Sequence, residues 1–378
     1  MNPVEQHLHN KLQERKELGN LRRLTTKHSP VDFYSNDYLG LVTTGILKNS
    51  LLNIPDKDLT TGSTGSRLLS GNSEATEILE KQIAAFHHAE AALLFNSGYD
   101  ANIGLLASIA NRHTTILYDE LCHASIIDGI RLSQAGNHYK FRHNDLDDLK
   151  DKLNKTKGKG PQIVVVESVY SMDGDIAPLA EISSFVNDCD ASLIVDEAHA
   201  TGIFGTKGEG VVCNLGLQEK VFARVHTFGK ALGCHGAAVV GNDMLKQYLI
   251  NFARSFIYTT ALPGHAVQST TAAYNYLSSP TFSNKTIHDL IIHFREGKKK
   301  ATAFTWKDSI SPIQALVIGD NSKASTAATS LQRAGFQVNP ILHPTVPLGA
   351  ERLRICLHAF NTTDQIDQLI DVLNADNK

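Results

Sequence analysis

Ser192-Leu193-Ile194-Val195-Asp196-Glu197-Ala198-His199 is the stretch that decides the fold class of this chain. Its apolar run is short and continuous, as in a strand covered on both faces. The run ends on an acid, and a histidine follows three residues later. Downstream, Phe222–Thr227 repeats the pattern and leads into Phe228-Gly229-Lys230-Ala231-Leu232-Gly233, a lysine in a turn of small residues. Similar runs stand at Ala91–Phe95, Thr115–Tyr118, Ile163–Glu167 and Ala237–Gly241, with helical stretches between them. Strands alternating with helices imply an α/β domain on a mainly parallel sheet.

The polar residues of interest fall at the C-terminal ends of these runs: Glu167-Ser168, Asp196 and Thr227. Ligands of open α/β sheets bind at those ends. From about residue 280 the pattern changes. Ile313–Ile318 and Arg352–Leu357 read as strands, and Ala324–Ala334 as a helix stopped by Gly335. Thr362 and Gln365 have capping-box spacing ahead of Ile366, Leu369, Ile370 and Leu373 on one helical face. The expected organisation is an N-terminal arm over residues 1–45, a large α/β domain over 46–280 and a small C-terminal α+β domain over 281–378.

Bulk properties exclude several classes. The 36 basic and 39 acidic residues leave a net charge of −3, without the basic surplus of a nucleic-acid binder. Lys155–Gly160 reads as a solvated loop before a strand. The five cysteines have no Cys-x-x-Cys pair, which predicts reduced thiols in a cytoplasmic protein and no metal site. No apolar run approaches a membrane span. Val4, Leu8 and Leu12 predict a short amphipathic helix, and Glu5, Glu14 and Glu17 argue against a mitochondrial targeting segment.

Asp196-Glu197-Ala198-His199 has the letters of a nucleotide-hydrolase acidic box. That chemistry needs G-x-x-x-x-G-K-[ST]. Around Gly229-Lys230 the first glycine position is Arg224 and the last is Ala231, so the ATPase reading fails. A lysine between two apolar runs is partly desolvated, which favours the neutral, nucleophilic amine. A Schiff-base lysine and a strand-end acid that holds a proton on a pyridine nitrogen are the two needs of pyridoxal phosphate chemistry. Asn96-Ser97-Gly98-Tyr99 follows a strand and opens a helix, where backbone N–H groups can cradle a phosphate. His123, in Cys122-His123-Ala124-Ser125, could stack on an aromatic cofactor. Asp173-Gly174 marks a tight turn, and Gly62–Arg67 reads from composition as a flexible loop.

Taken in order, these segments resemble the α-oxoamine synthase family of pyridoxal phosphate enzymes. The resemblance runs through Ser35–Leu41, Gly62–Gly71, Ser97–Tyr99, His123–Ser125, Ser171–Asp175, Asp196–Gly202, Thr227–Lys230 and Tyr258–Thr260. It implies fold type I, as in aspartate aminotransferases, and a homodimer with active sites at the subunit interface. It implies that Lys230 forms the Schiff base and moves the Cα proton. Asp196 pairs with the ring nitrogen, His199 with the ring 3′-oxygen, and His123 stacks on the ring. Ser171 lies near the ring's polar edge. Ser97, the Gly98 and Tyr99 N–H groups and Thr227 hold the phosphate, with Thr260 reaching it from the other subunit. Asn36 and Arg354 bind the amino-acid carboxylate.

Ile313-Gln314, Gly319–Ser322, Pro344–Pro347 and Arg352–Arg354 point to the branch that condenses L-alanine with a pimeloyl thioester, on coenzyme A or a carrier protein. In that branch an N-terminal arginine, here Arg22 or Arg23, is linked to the far carboxylate of the acyl chain. Glycine or serine with another acyl-CoA, and a plain aminotransferase, are the alternatives.

Overall fold

The computed structural model describes residues 1–24, 26, 29–52, 54, 60–299 and 304–375. The chain divides into two compact units: residues 36–171 with 176–286, and residues 1–35 with 172–175 and 287–378. Strand β1 (Val31–Asp32) lies in the second unit. The first unit carries β2 (Ala91–Phe95), β3 (Thr115–Asp119), β4 (Asn137–Phe141) and β5 (Gln162–Glu167). It continues with β6 (Ser192–Asp196), β7 (Ala223–Thr227) and β8 (Ala237–Gly241).

These seven strands form one sheet in the order β2-β8-β7-β6-β5-β3-β4. All neighbours are parallel except β8, which runs antiparallel to β2 and β7. Every residue of β2 and β5 is buried, which is why their sequences run apolar without alternation. The edge strand β4, Asn137-His138-Tyr139-Lys140-Phe141, is exposed except at Phe141. Its polar sequence carries no strand signal; charge on an exposed edge discourages pairing with other chains. Leu93, Leu105, Ile116, Ile126, Val165, Ile194 and Val225 share one core cluster between sheet and helices. Each such side chain contributes about 1.5–3 kcal/mol by leaving water.

From β3 the chain runs outward to β4, then returns to place β5 on the other side of β3. The direction of winding reverses between β3 and β5. A crevice opens at the strands' carboxyl ends at such a reversal.

The second unit carries β9 (Thr305–Trp306), β10 (Ile313–Val317), β11 (Phe336–Gln337), β12 (Asn339–Ile341) and β13 (Arg352–Cys356). Strands β12-β13-β10-β9 make a four-stranded antiparallel sheet, and β1 pairs with β11 in parallel. The Thr362–Gln365 capping box forms and opens the helix Thr363–Ala375. The N-terminal helix spans Pro3–Glu17, with Asn2 and Glu5 as its own capping box. None of its residues is buried, so Val4, Leu8 and Leu12 form an exposed apolar stripe.

Within the second unit, the Asp173-Gly174 turn is anchored, not mere punctuation. Asp173 pairs with Arg352, both nearly fully buried, and Lys307 Nζ lies 3.3 Å from Asp173 Oδ2. Gly174 has φ +76°, its carbonyl accepts from Ser309 Oγ at 2.8 Å, and an added Cβ would stand 2.2 Å from Ile313 O. No other residue fits there without moving backbone.

Candidate active site

In the first unit, a cavity of about 260 Å³ lies at the carboxyl ends of the sheet strands. Its wall brings together nine of the residues given a site role in the sequence: Asn36, Ser97, Gly98, Tyr99, His123, Asp196, His199, Thr227 and Lys230. Ser171 is buried and Thr260 exposed, and neither contributes to the cavity wall. Arg354 and Arg22 belong to the other unit. There Arg354 Nη1 lies 2.9 Å from Cys356 Sγ. Arg22 Nη2 donates to Thr345 Oγ1 at 3.1 Å, beside a cavity of about 640 Å³ that Arg15 and Arg23 also line.

Asp196 is buried at the end of β6, where Oδ1 accepts from Ala198 N at 2.9 Å and Oδ2 from Asn102 Nδ2 at 2.8 Å. Asn102 Nδ2 also donates to Ser125 Oγ at 2.9 Å, and Ser125 Oγ lies 2.8 Å from His123 Nδ1. Ser125 N donates to the same nitrogen at 3.2 Å. His123 Nδ1 is therefore an acceptor, and the neutral ring carries its proton on Nε2. Desolvation holds the His123 pKa below the usual imidazole range, with Lys230 acting in the same sense and Asp196 opposing.

A second chain ends at the lysine. Lys230 Nζ lies 2.9 Å from His199 Nε2, and His199 Nδ1 lies 2.8 Å from Tyr38 OH. The Tyr38 hydroxyl donates to Asn36 Oδ1 at 2.9 Å. Lys230 follows β7 and His199 follows β6, so the parallel pairing of these strands brings the two side chains to one place.

Ser97 caps the helix Gly98–Ile109, its Oγ accepting from Asp100 N at 3.1 Å. The first-turn N–H groups of a helix have no intrahelical acceptor and favour an anion. An added Cβ on Gly98 would stand 2.4 Å from Thr227 Cγ2. Only glycine lets this helix start approach Thr227, which puts the first-turn N–H groups beside the threonine on the cavity wall.

Asn102, Ser125 and Tyr38 are the parts of the site that sequence reasoning missed, and Glu167 was marked there only as a strand-end polar residue, without a role. Glu167 is buried, lines the cavity and accepts from His123 N at 2.5 Å. Burial, with the Asp196 charge adding to it, raises its pKa to about 8. The strand-end position of Glu167 was the one available signal. Ser125 and Tyr38 sit inside quoted segments and Asn102 just past one, but nothing in a linear sequence shows what they touch.

Residues 29–373 match the family described as aminotransferase class I and II. A protein of Emericella nidulans named 8-amino-7-oxononanoate synthase is 44% identical, over 93% of this chain and 90% of its own length. One of Marinobacter nauticus with the same name is 40% identical, over 91% and 86%. The chain belongs to the α-oxoamine synthase family of fold type I pyridoxal phosphate enzymes. Among solved structures, a serine palmitoyltransferase from S. paucimobilis with a bound PLP–myriocin aldimine superimposes with TM-score 0.89 at 27% identity, covering 99% of this chain and 98% of its own. An 8-amino-7-oxononanoate synthase from Francisella tularensis superimposes with TM-score 0.78 at 30% identity, covering 92% and 98%.

The α-oxoamine synthases use pyridoxal phosphate to condense an amino acid with an acyl thioester, and this chain is an enzyme of that class. Its residues fit the cofactor. The close Gly98–Thr227 approach sets the helix start and the Thr227 side chain side by side on the cavity wall, the donor set a phosphate needs. Asp196 has both oxygens oriented by N–H donors, and an amine stands across the same small cavity. Ligand pockets run from about 300 Å³ upward, so this space suits a single-ring group. Among the described residues no helix is long and apolar enough to cross a membrane.

Proposed function

We propose that this α-oxoamine synthase condenses L-alanine with a pimeloyl thioester, on coenzyme A or a carrier protein, to give 8-amino-7-oxononanoate, CO2 and free thiol. The observation that carries this reading is 44% identity over 93% of the chain to a protein of that name. The serine palmitoyltransferases, at 27% identity, supply the second reading through their TM-score of 0.89. The product is an intermediate of biotin synthesis, and the chain works in the cytoplasm as a homodimer. The exposed position of Thr260, off its own cavity wall, supports a role for it in a second subunit's site.

When bound, pyridoxal phosphate accepts the electron pair left at Cα when a proton or a carboxylate departs. In this reading Lys230 Nζ attaches the cofactor, gives it up to the amino acid and carries the Cα proton. The Asp196 carboxylate holds a proton at the pyridine nitrogen, with Ala198 N and Asn102 Nδ2 fixing its direction. His199 serves the ring 3′-oxygen, and Ser171 lies near that polar edge. His123 presents its ring face, oriented through Nδ1 by Ser125. Ser97, Gly98, Tyr99 and Thr227 take the phosphate. Asn36 and Arg354 bind the amino-acid carboxylate, and Arg22 the far end of the acyl chain.

Thiol release measured with pimeloyl-CoA and L-alanine, beside glycine and serine, tests the reading. Release confined to alanine is expected. Release with serine and a long-chain acyl-CoA, and none with alanine, would move the assignment to the second reading.

A further inference from the structure

We infer that Tyr38 is a positioning residue that holds His199 in the tautomer whose Nε2 lone pair faces Lys230 Nζ. The inference rests on the reading of Lys230 as the lysine that attaches the cofactor. Its carrier is the hydrogen-bond chain Asn36–Tyr38–His199–Lys230, whose direction follows from the Tyr38 donation to Asn36. The Asn36 Oδ1 atom is an acceptor, and Tyr38 OH donates its single proton to it at 2.9 Å. The contact of 2.8 Å between Tyr38 OH and His199 Nδ1 then needs a proton from the imidazole side, so Nδ1 carries N–H. In the neutral ring Nε2 is left as the acceptor, 2.9 Å from the Lys230 nitrogen, which as an ammonium has only protons to offer.

The arrangement has a chemical consequence. Lys230 must be an unprotonated amine to attack an aldehyde. A lone pair at hydrogen-bond distance can take the departing ammonium proton, and a nitrogen that already bears hydrogen cannot. A nucleophile, a base within reach and a third group orienting the base is the general form of an activated nucleophile. Tyr38 supplies the third group. It is fully buried, and its ring lies 6.1 Å from that of His199 at a tilt of 48°. The hydroxyl is thus held by packing as well as by hydrogen bonds. The tyrosine and the histidine are 161 positions apart in the chain, so only the folded structure joins them.

The test uses apoprotein labelled with 15N-histidine, with the His199 signals assigned by their loss in His199→Gln. The wild type should show the proton on Nδ1, and Tyr38→Phe should move it to Nε2. Loading of the apoprotein with pyridoxal phosphate, followed by absorbance, should slow by roughly 100-fold in Tyr38→Phe, the lower range for a positioned base. Its pH profile should also shift upward, because Lys230 must then lose its proton to solvent. A wild-type His199 with its proton on Nε2 would overturn the inference, and that spectrum suffices even if the variant does not fold. An unchanged tautomer and loading profile in Tyr38→Phe would overturn it as well. Failure of the Lys230 assignment shows differently: borohydride would trap the cofactor on another residue while the wild-type tautomer stayed as described.

Discussion

Glu167 and Asp196 stand directly opposite one another at the carboxyl ends of the parallel strands β5 and β6. Both are buried, and both line the same cavity. Two adjacent buried carboxyls do not both ionise at low cost. Asp196 has two N–H donors on it, one at each oxygen. Glu167 has the His123 N–H alone, and burial raises its pKa to about 8. The pair thus divides its roles, with one carboxyl held neutral beside one suited to carry charge.

This division has a measurable sign. Burial raises the folded Glu167 pKa to about 8, against 4.5 for an ordinary glutamate. Between these values the native state binds a proton that the unfolded state does not, so this group's stabilisation is complete below the lower value. It is lost as pH rises through the upper one. Glu167→Gln removes the dependence. Unfolding of the two apoproteins by urea should show the variant gaining on the wild type from pH 5 to pH 8, at most about 1.4 kcal/mol per pH unit. Parallel stability curves would show that Glu167 is ionised in the fold.

Asp196→Asn keeps an acceptor for Asn102 and removes the charge. Exchange of the L-alanine Cα proton in deuterium oxide should fall roughly 10- to 100-fold, the equivalent of a lost charge-assisted hydrogen bond of about 1.5–3 kcal/mol. An unchanged exchange rate would remove Asp196 from the ring-nitrogen role.

Gly98→Ala drives a methyl group into Thr227 Cγ2. Equilibrium titration should show cofactor affinity reduced about tenfold, with overpacking costing about 1–3 kcal/mol of stability. Adding Thr227→Ser deletes the clashing methyl and keeps the hydroxyl, so it should recover most of both. No recovery in the double variant would mean that the approach of helix start and strand end is not what holds the phosphate.

Asp173→Ala leaves Arg352 buried beside a single, half-exposed lysine, Lys307. Breaking a buried ion pair costs about 3–5 kcal/mol. Chemical denaturation should show a loss of that size, and one below about 1 kcal/mol would mean that Arg352 finds water or another acceptor.

Much of the fold was legible because burial on both faces writes itself into sequence. Ala91–Phe95, Ser192–Asp196 and Ala237–Gly241 form strands with the bounds their apolar runs suggest. Asn137–Phe141 was not legible, because an exposed edge strand has no apolar pattern to display. The helix at Pro3–Glu17 was expected from Val4, Leu8 and Leu12, yet no residue of it is buried. Periodicity reports which face is apolar, not what covers it.

The sequence by itself determined the alternation of strands and helices, the acid, histidine and lysine at strand ends, and through the ordered motifs the family. These are local properties: period, strand-end chemistry and turn residues are set within a few positions of one another. Tertiary structure alone decided that Asn102 and Ser125 connect Asp196 to His123, that Glu167 opposes Asp196, and that Tyr38 reaches His199. A hydrogen bond needs its atoms within about 3 Å. Side chains tens to hundreds of positions apart meet that condition only after the sheet has set its strand order and register.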